Sequence, residues 1–257
     1  MQLIDSHNHL YKEEFDEDRD EVVKKAFNEG IDTFVLPNID SRYIKRMNTL
    51  KENYPDNCRP MMGLHPVSVG ENYLDELDII EKELDKGGYC AIGEIGLDLY
   101  WDKTYWKEQE KAFRRQIDWA KEKELPFVIH VRNAFEETLS IVEEMNTPEL
   151  RGVFHCFTGD HTLSERIMNL GGFYMGIGGI VTFKNAGLDK VVKDIPLKYL
   201  LLETDAPYLA PHPFRGKRNE PSYMRKVAEK IAEVKNTYLS TVAEITSNNC
   251  RDIFKFD

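Results

Sequence analysis

Residues 3–9 of the chain read Leu-Ile-Asp-Ser-His-Asn-His, a short apolar run that leads into two histidines spaced i and i+2. A short apolar run is typical of a buried strand, and side chains two residues apart along a strand project to the same face. The stretch therefore predicts a buried strand whose carboxyl end presents two imidazoles, His7 and His9, on one side.

The same pattern recurs along the whole chain. Short apolar runs alternate with helical stretches at intervals of roughly 28 residues, which suits a strand, a helix and two loops per unit. The predicted strands lie at residues 3–4, 33–36, 60–64, 90–93, 127–129, 152–154, 173–177 and 199–202. Eight such units predict an α/β fold, the (β/α)8 TIM-type barrel with parallel strands.

The stretches between the strands have the periodicity of amphipathic helices. One apolar face is formed by Leu74, Leu77, Ile80 and Leu84. Thr162 and Glu165 have the spacing of an N-terminal capping box for the sixth helix. An additional helix at about 239–254 follows the eighth unit, and we expect it to cover the outside or the bottom of the barrel with an apolar stripe of Val242, Ile245 and Ile253.

Length and composition agree with one large core. The chain has 257 residues, of which 41% are hydrophobic and 31% charged, so disordered, collagen-like and disulfide-scaffold proteins are excluded. The length fits one barrel and would be short for two enzyme domains. We therefore expect a single domain spanning 1–257.

The net charge and the cysteines limit the binding partners and the cellular compartment that we expect. The formal net charge of −11 disfavours non-specific wrapping of nucleic acid, so any such contact must be local. The four cysteines form no C-x-x-C pair and are expected to be thiols: Cys58, Cys90, Cys156 and Cys250. No apolar run approaches membrane-spanning length, and the polar motif beginning at Ser6 leaves no room for a signal peptide. These features predict a cytoplasmic protein.

Ionisable residues cluster where the predicted strands end, which is the face on which barrel enzymes build their sites. They are His7 and His9 after strand one, His65 after strand three, Glu94 after strand four, His130 after strand five, His155 after strand six and Asp205 after strand eight. Any one of these histidines alone reads equally well as a hydrogen-bonded core residue. Without His65, the set supplies four imidazoles and two carboxylates, enough for two divalent ions such as Zn²⁺, Mg²⁺ or Mn²⁺.

The two carboxylates of this set have distinct expected roles. Glu94 faces several histidines and can bridge two cations while offsetting their repulsion, although a salt bridge at the barrel rim is its structural alternative. Asp205 follows a buried strand and is expected to be a ligand of the first metal and the general base. Glu203 is expected to support a metal ligand, and Asp98 to cap a loop.

Seven motifs, in order, resemble those of the TatD family of metal-dependent hydrolases and DNases, within the amidohydrolase-like barrels. They are DSHNH at 5–9, GLHP at 63–66, GEIGLD at 93–98, VIHVR at 128–132, FHCFTG at 154–159, ETDAPYL at 203–209 and RGKRNEP at 215–221. The resemblance covers nearly the whole chain. One departure is Asn133, where many relatives carry an acid, and this puts in doubt a local partner for Arg132.

The resemblance implies a TIM-type barrel with a binuclear metal centre. It places His7, His9, Glu94 and Asp205 around one metal, and Glu94, His130 and His155 around the other. It also implies phosphodiester hydrolysis, often by a 3′-to-5′ exonuclease or DNase, with His65 and the basic loop near the scissile phosphate.

The expected substrate is DNA, with single strands or 3′ ends favoured, or a small phosphodiester; no obligate protein partner is evident. Candidate substrate contacts are Arg132 and the loop cations Arg215, Lys217 and Arg218. Candidates to stack on unpaired bases lie in the loop after strand four: Tyr100, Trp101, Tyr105 and Trp106. For Trp106 the commoner role is in a helix core, aligned with Phe113 and Ile117.

Two alternatives stay open at this stage. The same metal chemistry can hydrolyse a small amide, ester or lactone, because an activated water attacks a carbonyl as well as a phosphorus. A non-catalytic metal-binding barrel is the third possibility, and a panel of substrates separates the three.

Overall fold

A computed structural model describes residues 2–256 and shows eight parallel strands alternating with helices, as predicted. The strands run β1 Leu3–Asp5, β2 Ile31–Leu36, β3 Cys58–Pro60, β4 Ile92–Asp98, β5 Phe127–Arg132, β6 Gly152–Phe154, β7 Phe173–Ile177 and β8 Leu200–Leu202. All pairings between neighbouring strands are parallel, so every carboxyl end lies on the same side of the molecule.

Nine α-helices connect and follow the strands within the described residues. They are α1 Arg19–Asn28, α2 Ile44–Asn53, α3 Tyr73–Leu84, α4 Trp106–Glu122, α5 Phe135–Met145, α6 His161–Asn169, α7 Leu188–Asp194, α8 Met224–Lys235 and α9 Leu239–Phe254. Their buried sides pack against the strands and form one large apolar cluster. The arrangement is that of a TIM-type barrel with an additional C-terminal helix.

The ring of strands consists of two ladders rather than one. β1 to β3 form one sheet and β4 to β8 form the other. A few backbone hydrogen bonds lie at each of the two junctions. Between β3 and β4, Cys90 N–H donates to Pro60 C=O at 2.9 Å and Gly93 N–H donates to Met62 C=O at 3.0 Å. Between β8 and β1, Ser6 N–H donates to Leu202 C=O at 3.0 Å and Asp205 N–H donates to His7 C=O at 2.9 Å. The ring is therefore joined at isolated points between β3 and β4 and between β8 and β1.

The C-terminal helix closes the amino ends of the strands. Its residues Cys250, Ile253 and Phe254 complete an apolar cluster formed with Ile4, Val35, Met61, Ala91, Val128, Val153 and Leu201. Hydrogen bonds fix α9 there, because Ser247 Oγ donates to Gln2 C=O and Asn249 Nδ2 donates to Leu200 C=O. The predicted helix at 239–254 thus covers the bottom of the barrel and leaves the opposite end to the site.

The boundaries of β3, β4 and β5 differ most from the predictions. β3 ends at Pro60, because the following residues make only an isolated bridge, Met62 to Ile92. β4 and β5 are longer than predicted, since their ladder continues from Gly96 paired with His130 to Asp98 paired with Arg132. The prediction that Glu94 and His130 end their strands was therefore wrong; both lie within strands.

Two helix details also differ. Leu74 was predicted on the same apolar face of α3 as Leu77, Ile80 and Leu84, but it is 65% exposed whereas the other three are buried. The N-cap of α6 is Asp160, whose side chain accepts from Leu163 N–H, so the capping box at Thr162 is wrong by two residues.

The four cysteines are free, as expected. Across residues 2–256 no helix combines the length and the apolar character needed to cross a lipid bilayer.

Truncating Phe254, where α9 closes the bottom of the barrel, tests how much this helix contributes to stability. Phe254→Ala removes a ring that is 3% exposed and should lower the free energy of unfolding by about 3–5 kcal/mol, because it leaves a cavity in the lower core. Guanidinium chloride denaturation measures this. Glu244→Ala, on the exposed side of the same helix, should change stability by no more than about 0.5 kcal/mol and serves as the control. Equal effects of the two changes would contradict a plugging role for α9.

Candidate metal centre

The carboxylate of Glu94 lies at the centre of the polar residues gathered at the carboxyl ends of the strands, and it is 2% exposed. One oxygen, Oε2, is 3.2 Å from His7 Nε2 and 3.8 Å from His9 Nε2. Asp205 completes this side, with Oδ1 at 3.5 Å from His9 Nε2 and 3.8 Å from His7 Nε2. These four residues form the first donor group.

The other oxygen of Glu94 faces a different set of imidazoles. Oε1 lies 2.9 Å from His130 Nδ1, 2.8 Å from His155 Nε2 and 3.5 Å from His65 Nε2. We call Glu94, His130 and His155 the second donor group. One carboxylate therefore joins two clusters of nitrogen donors, one through each oxygen.

The local backbone of β4 places Glu94 at this point. Its pairing with β5 shifts register between Ile92 and Ile95, so the strand is irregular at Glu94. Glu94 N–H donates to Asn38 C=O at 3.1 Å, which ties the irregular segment to the loop after β2. Gly96 has φ of 144°, and a side chain there would overlap the backbone of His130. The strand can approach β5 this closely only with glycine at that position.

The protonation of His9 suits a metal ligand. Tyr11 Oη donates to Pro37 C=O at 2.5 Å, so that oxygen accepts the hydrogen bond at 2.8 Å from His9 Nδ1. His9 therefore carries its proton on Nδ1 and turns the lone pair of Nε2 toward Glu94 and Asp205. Sequence reasoning missed Tyr11, although it lies two residues beyond His9.

His7 is the strongest indication of a cation at this place. It is fully buried, and neither ring nitrogen makes a well-aligned hydrogen bond among the described residues, although Nε2 lies 3.2 Å from Glu94 Oε2. Burial lowers the pKa of His7, and the neighbouring His155 lowers it further, so the imidazole is neutral. An unpartnered nitrogen in a dry site is costly unless it has a ligand, and a divalent metal ion fits both this lone pair and the mixed donor set.

The charge of Glu94 leads to the same conclusion. Burial acts to raise its pKa, but the charge of His155 and the hydrogen bond from His130 hold the pKa well below its usual value. The carboxylate is therefore ionised in a place almost closed to water. A buried anion of this kind needs positive charge beside it, which the donor groups provide when they hold cations.

Further acids orient the second donor group. Asp98 Oδ2 lies 2.9 Å from His130 Nε2, and its Oδ1 accepts from Tyr100 N–H at 2.9 Å. Asp98 thus caps its loop, as expected, and also contacts a histidine of the site. Glu203 Oε1 lies 3.4 Å from His155 Nδ1 and accepts from Cys156 N–H at 2.6 Å. This is the supporting position expected for Glu203 from the sequence.

His65 lies beside the second group with a different protonation. Its Nδ1 accepts from Val67 N–H at 3.0 Å, so the neutral ring carries its proton on Nε2, the atom that faces Glu94. His65 is therefore presented as a hydrogen-bond donor rather than as a ligand.

Of the predicted substrate contacts, three cations are exposed and one is held in ion pairs within the protein. Arg132 is exposed, and its guanidinium lies 3.8 Å from the centre of the Tyr100 ring and 5.1 Å from that of Trp101. Arg215 and Lys217 are exposed. Arg218, by contrast, makes a two-point ion pair with Asp18, at 2.8 and 2.6 Å, and lies 3.2 Å from Glu220. Its guanidinium is committed to these acids, and this fixes the loop in place.

The comparisons with known proteins agree with this site. A profile of the family described as TatD related DNase matches residues 4–255. The uncharacterized metal-dependent hydrolase YabD of Bacillus subtilis is 42% identical over 256 residues, which are 99% of this chain and all of the relative. The 3′-5′ ssDNA/RNA exonuclease TatD of Pectobacterium parmentieri is 30% identical over 98% of this chain and 99% of its own length.

A solved structure shows the same likeness in three dimensions. YjjV, a TatD homologue from Escherichia coli K12, superposes with a TM-score of 0.93 at 28% identity, covering 99% of this chain and 98% of the other. Fold, donor set and relatives together define a metal-dependent hydrolase. The chain belongs to the TatD family.

A methyl group placed under Glu203 tests its role in the site. A Cβ at Gly176 would overlap Glu203 Oε2, so Gly176→Ala should displace this carboxylate and cost roughly 1–3 kcal/mol of stability. It should also weaken metal binding, because Glu203 no longer contacts His155. Thermal unfolding and metal titration measure the two effects. Gly70→Ala has open space around the new methyl group and is the matched control. If both variants behave alike, Glu203 does not depend on the glycine.

Proposed function

We propose that the protein is a phosphodiesterase that removes nucleotides from the 3′ end of single-stranded DNA. The observation that carries the proposal is the division of the nitrogen donors between the two oxygens of Glu94, because two adjacent cations are the arrangement that cleaves phosphodiesters by in-line displacement. The 30% identical relative named as a 3′-5′ ssDNA/RNA exonuclease supports the choice of substrate and polarity.

The two donor groups would each hold one divalent ion, Zn²⁺, Mg²⁺ or Mn²⁺. The first ion would be held by His7, His9, Glu94 and Asp205, and the second by Glu94, His130 and His155. Such ions, when bound, neutralise charge on the phosphoryl oxygens and favour attack by water at phosphorus.

Asp205 is placed to take the proton of the attacking water. Burial acts to raise its pKa, but the contact with His9 and the positive charge of His155 lower it, so the carboxylate is ionised and can act as a base. Its position is fixed, because Asp205 N–H donates to His7 C=O at 2.9 Å and its own C=O accepts from Tyr208 N–H at 2.8 Å. His65, with a proton on Nε2, would donate to a phosphoryl oxygen on the other side of Glu94.

The surroundings of the centre suit an unpaired strand. Tyr100 and Trp101 are 50% and 67% exposed, and Arg132 packs against both. Exposed rings of this kind stack on bases that are not paired, without regard to sequence. Arg215 and Lys217 would contact phosphates further along the strand, whereas Arg218 would position the loop through Asp18.

Time-resolved cleavage of 3′-labelled and 5′-labelled single-stranded DNA, with Mg²⁺, Mn²⁺ or Zn²⁺ added, tests the proposal. The wild type should release a labelled mononucleotide from the 3′ end, and Glu94→Ala should release none. Asp205→Asn should lower kcat by about 10²–10⁴-fold, the contribution of a positioned general base. His161→Ala, which changes an exposed histidine on α6, should keep wild-type activity and is the control.

DNA left intact with all three metals would contradict the nuclease proposal. Turnover of small esters, amides or lactones by the same preparation, lost in Glu94→Ala, would then identify a carbonyl hydrolase.

The loop after β8 gives a separate prediction for substrate affinity. Lys217→Gln removes an exposed cation and should raise KM for oligonucleotides with little change in kcat, because only binding of the strand is affected. The slope of log affinity against log salt concentration should fall by about 0.7, the value for one contact to a single-stranded phosphate. Lys24→Gln, an exposed lysine on α1, should change neither quantity. An unchanged salt slope in Lys217→Gln would rule out contact between this residue and a phosphate.

A further inference from the structure

Lys12 occupies an unusual position beside the first donor group. It follows β1, and its Nζ lies 2.6 Å from Tyr208 Oη and 5.2 and 5.5 Å from the ring centres of Tyr208 and Tyr43. Its side chain is only 12% exposed. We call Lys12, Tyr43 and Tyr208 the Lys12 pocket. None of the three was predicted as a site residue from the sequence.

The ammonium of Lys12 lacks a close anionic partner. Its nearest carboxylate among residues 2–256 is Glu14, at 3.8 Å, beyond hydrogen-bond distance and with a side chain that is 42% exposed. Burial acts to lower the pKa of Lys12, but the hydrogen bond to Tyr208 and the charges around it leave the pKa raised, so the ammonium stays protonated. Tyr208 accepts one of its three N–H groups. A largely buried cation with free donors favours an anionic ligand.

The hydroxyl of Tyr208 adds a second donor. Because its oxygen accepts from Lys12, its own proton is free to point elsewhere, and the tyrosine side chain is 43% exposed. Ammonium and hydroxyl together present N–H and O–H groups to the same space. This combination suits a phosphate oxygen.

The pocket adjoins the metal centre directly. Lys12 N–H donates to His9 C=O at 2.9 Å, and the Tyr208 ring centre is 6.1 Å from that of His9. The basic loop lies on the same side, since Arg218 Nη1 donates to Glu14 C=O at 2.6 Å. Arg132 lies two residues after His130 of the second donor group, and its aromatic partners Tyr100 and Trp101 follow β4. Cations and exposed rings therefore flank Glu94 at both ends.

We propose that Lys12 and Tyr208 bind the phosphate immediately 5′ of the scissile one. The body of the strand then passes over the Lys12 pocket toward Lys217, and the 3′-terminal nucleoside lies against Tyr100 and Trp101. This inference rests on the proposed nuclease function and adds to it the direction in which the strand crosses the centre. Lys12 is a substrate-binding residue in this account and takes no part in proton transfer.

A substrate in which one phosphate is replaced by an uncharged linkage tests whether Lys12 binds that phosphate. The metal-loaded full chain is assayed on oligothymidylate and on the same oligomer with a methylphosphonate at the linkage next to the scissile one on its 5′ side. Lys12→Met should raise KM for the all-phosphate strand about tenfold, with kcat within twofold, since one charge-assisted contact is lost. On the methylphosphonate strand, wild type and Lys12→Met should have the same KM.

Two further variants separate a loss of substrate binding from a defect in folding. Lys24→Met, on the exposed side of α1, should match wild type on both strands. Tyr208→Phe keeps the ring and removes the hydroxyl, so it should raise KM for the all-phosphate strand alone, and it keeps the test valid if Lys12→Met fails to fold.

The outcomes are distinguishable. If Lys12→Met raises KM equally on both strands, Lys12 does not contact this phosphate and the proposal is wrong. If it raises KM on neither strand, the phosphate lies elsewhere, and the nuclease function still stands. If wild type cleaves neither strand, the nuclease function itself fails, and this inference fails with it.

Discussion

The ionised carboxylate of Glu94, enclosed by imidazoles, is the interaction on which the rest of the site depends. It is 2% exposed and lies between His7 on one side and His155 on the other. A buried anion is stable only beside positive charge, and His7 makes no well-aligned hydrogen bond of its own within the described residues. The proposed divalent cations would supply this charge and a partner for His7, and the mixture of donors around them suits such ions.

The barrel satisfies this requirement through its backbone as much as through its ligands. The helix α9 fills the amino ends of the strands, so the carboxyl ends are left to the polar residues. Gly96 lets β4 approach His130, and Gly176 leaves room for Glu203 beneath His155. These glycines serve the site without touching a substrate, because any side chain in their place would displace a residue that orients a ligand.

The sequence predicted the strands and the residues that cluster in the site. It did not predict which side chains these residues pair with. Apolar runs at regular spacing located all eight strands, and histidines at their ends indicated the cluster. The extension of β4 to Asp98 was missed because Gly93 and Gly96 resemble a strand end, whereas an irregular register lets pairing continue. Arg218 pairs with Asp18 and Lys12 with Tyr208 across about 200 residues of chain, contacts that local patterns cannot reveal.

Metal stoichiometry tests the central claim most directly. Purified protein, stripped and reloaded with Zn²⁺ or Mn²⁺, is analysed by elemental mass spectrometry for wild type and Glu94→Gln, with circular dichroism confirming that both are folded. We expect two equivalents per chain in wild type and at most one in Glu94→Gln, because the amide cannot bridge two cations. A single equivalent in saturated wild type, or two retained in Glu94→Gln, would contradict it.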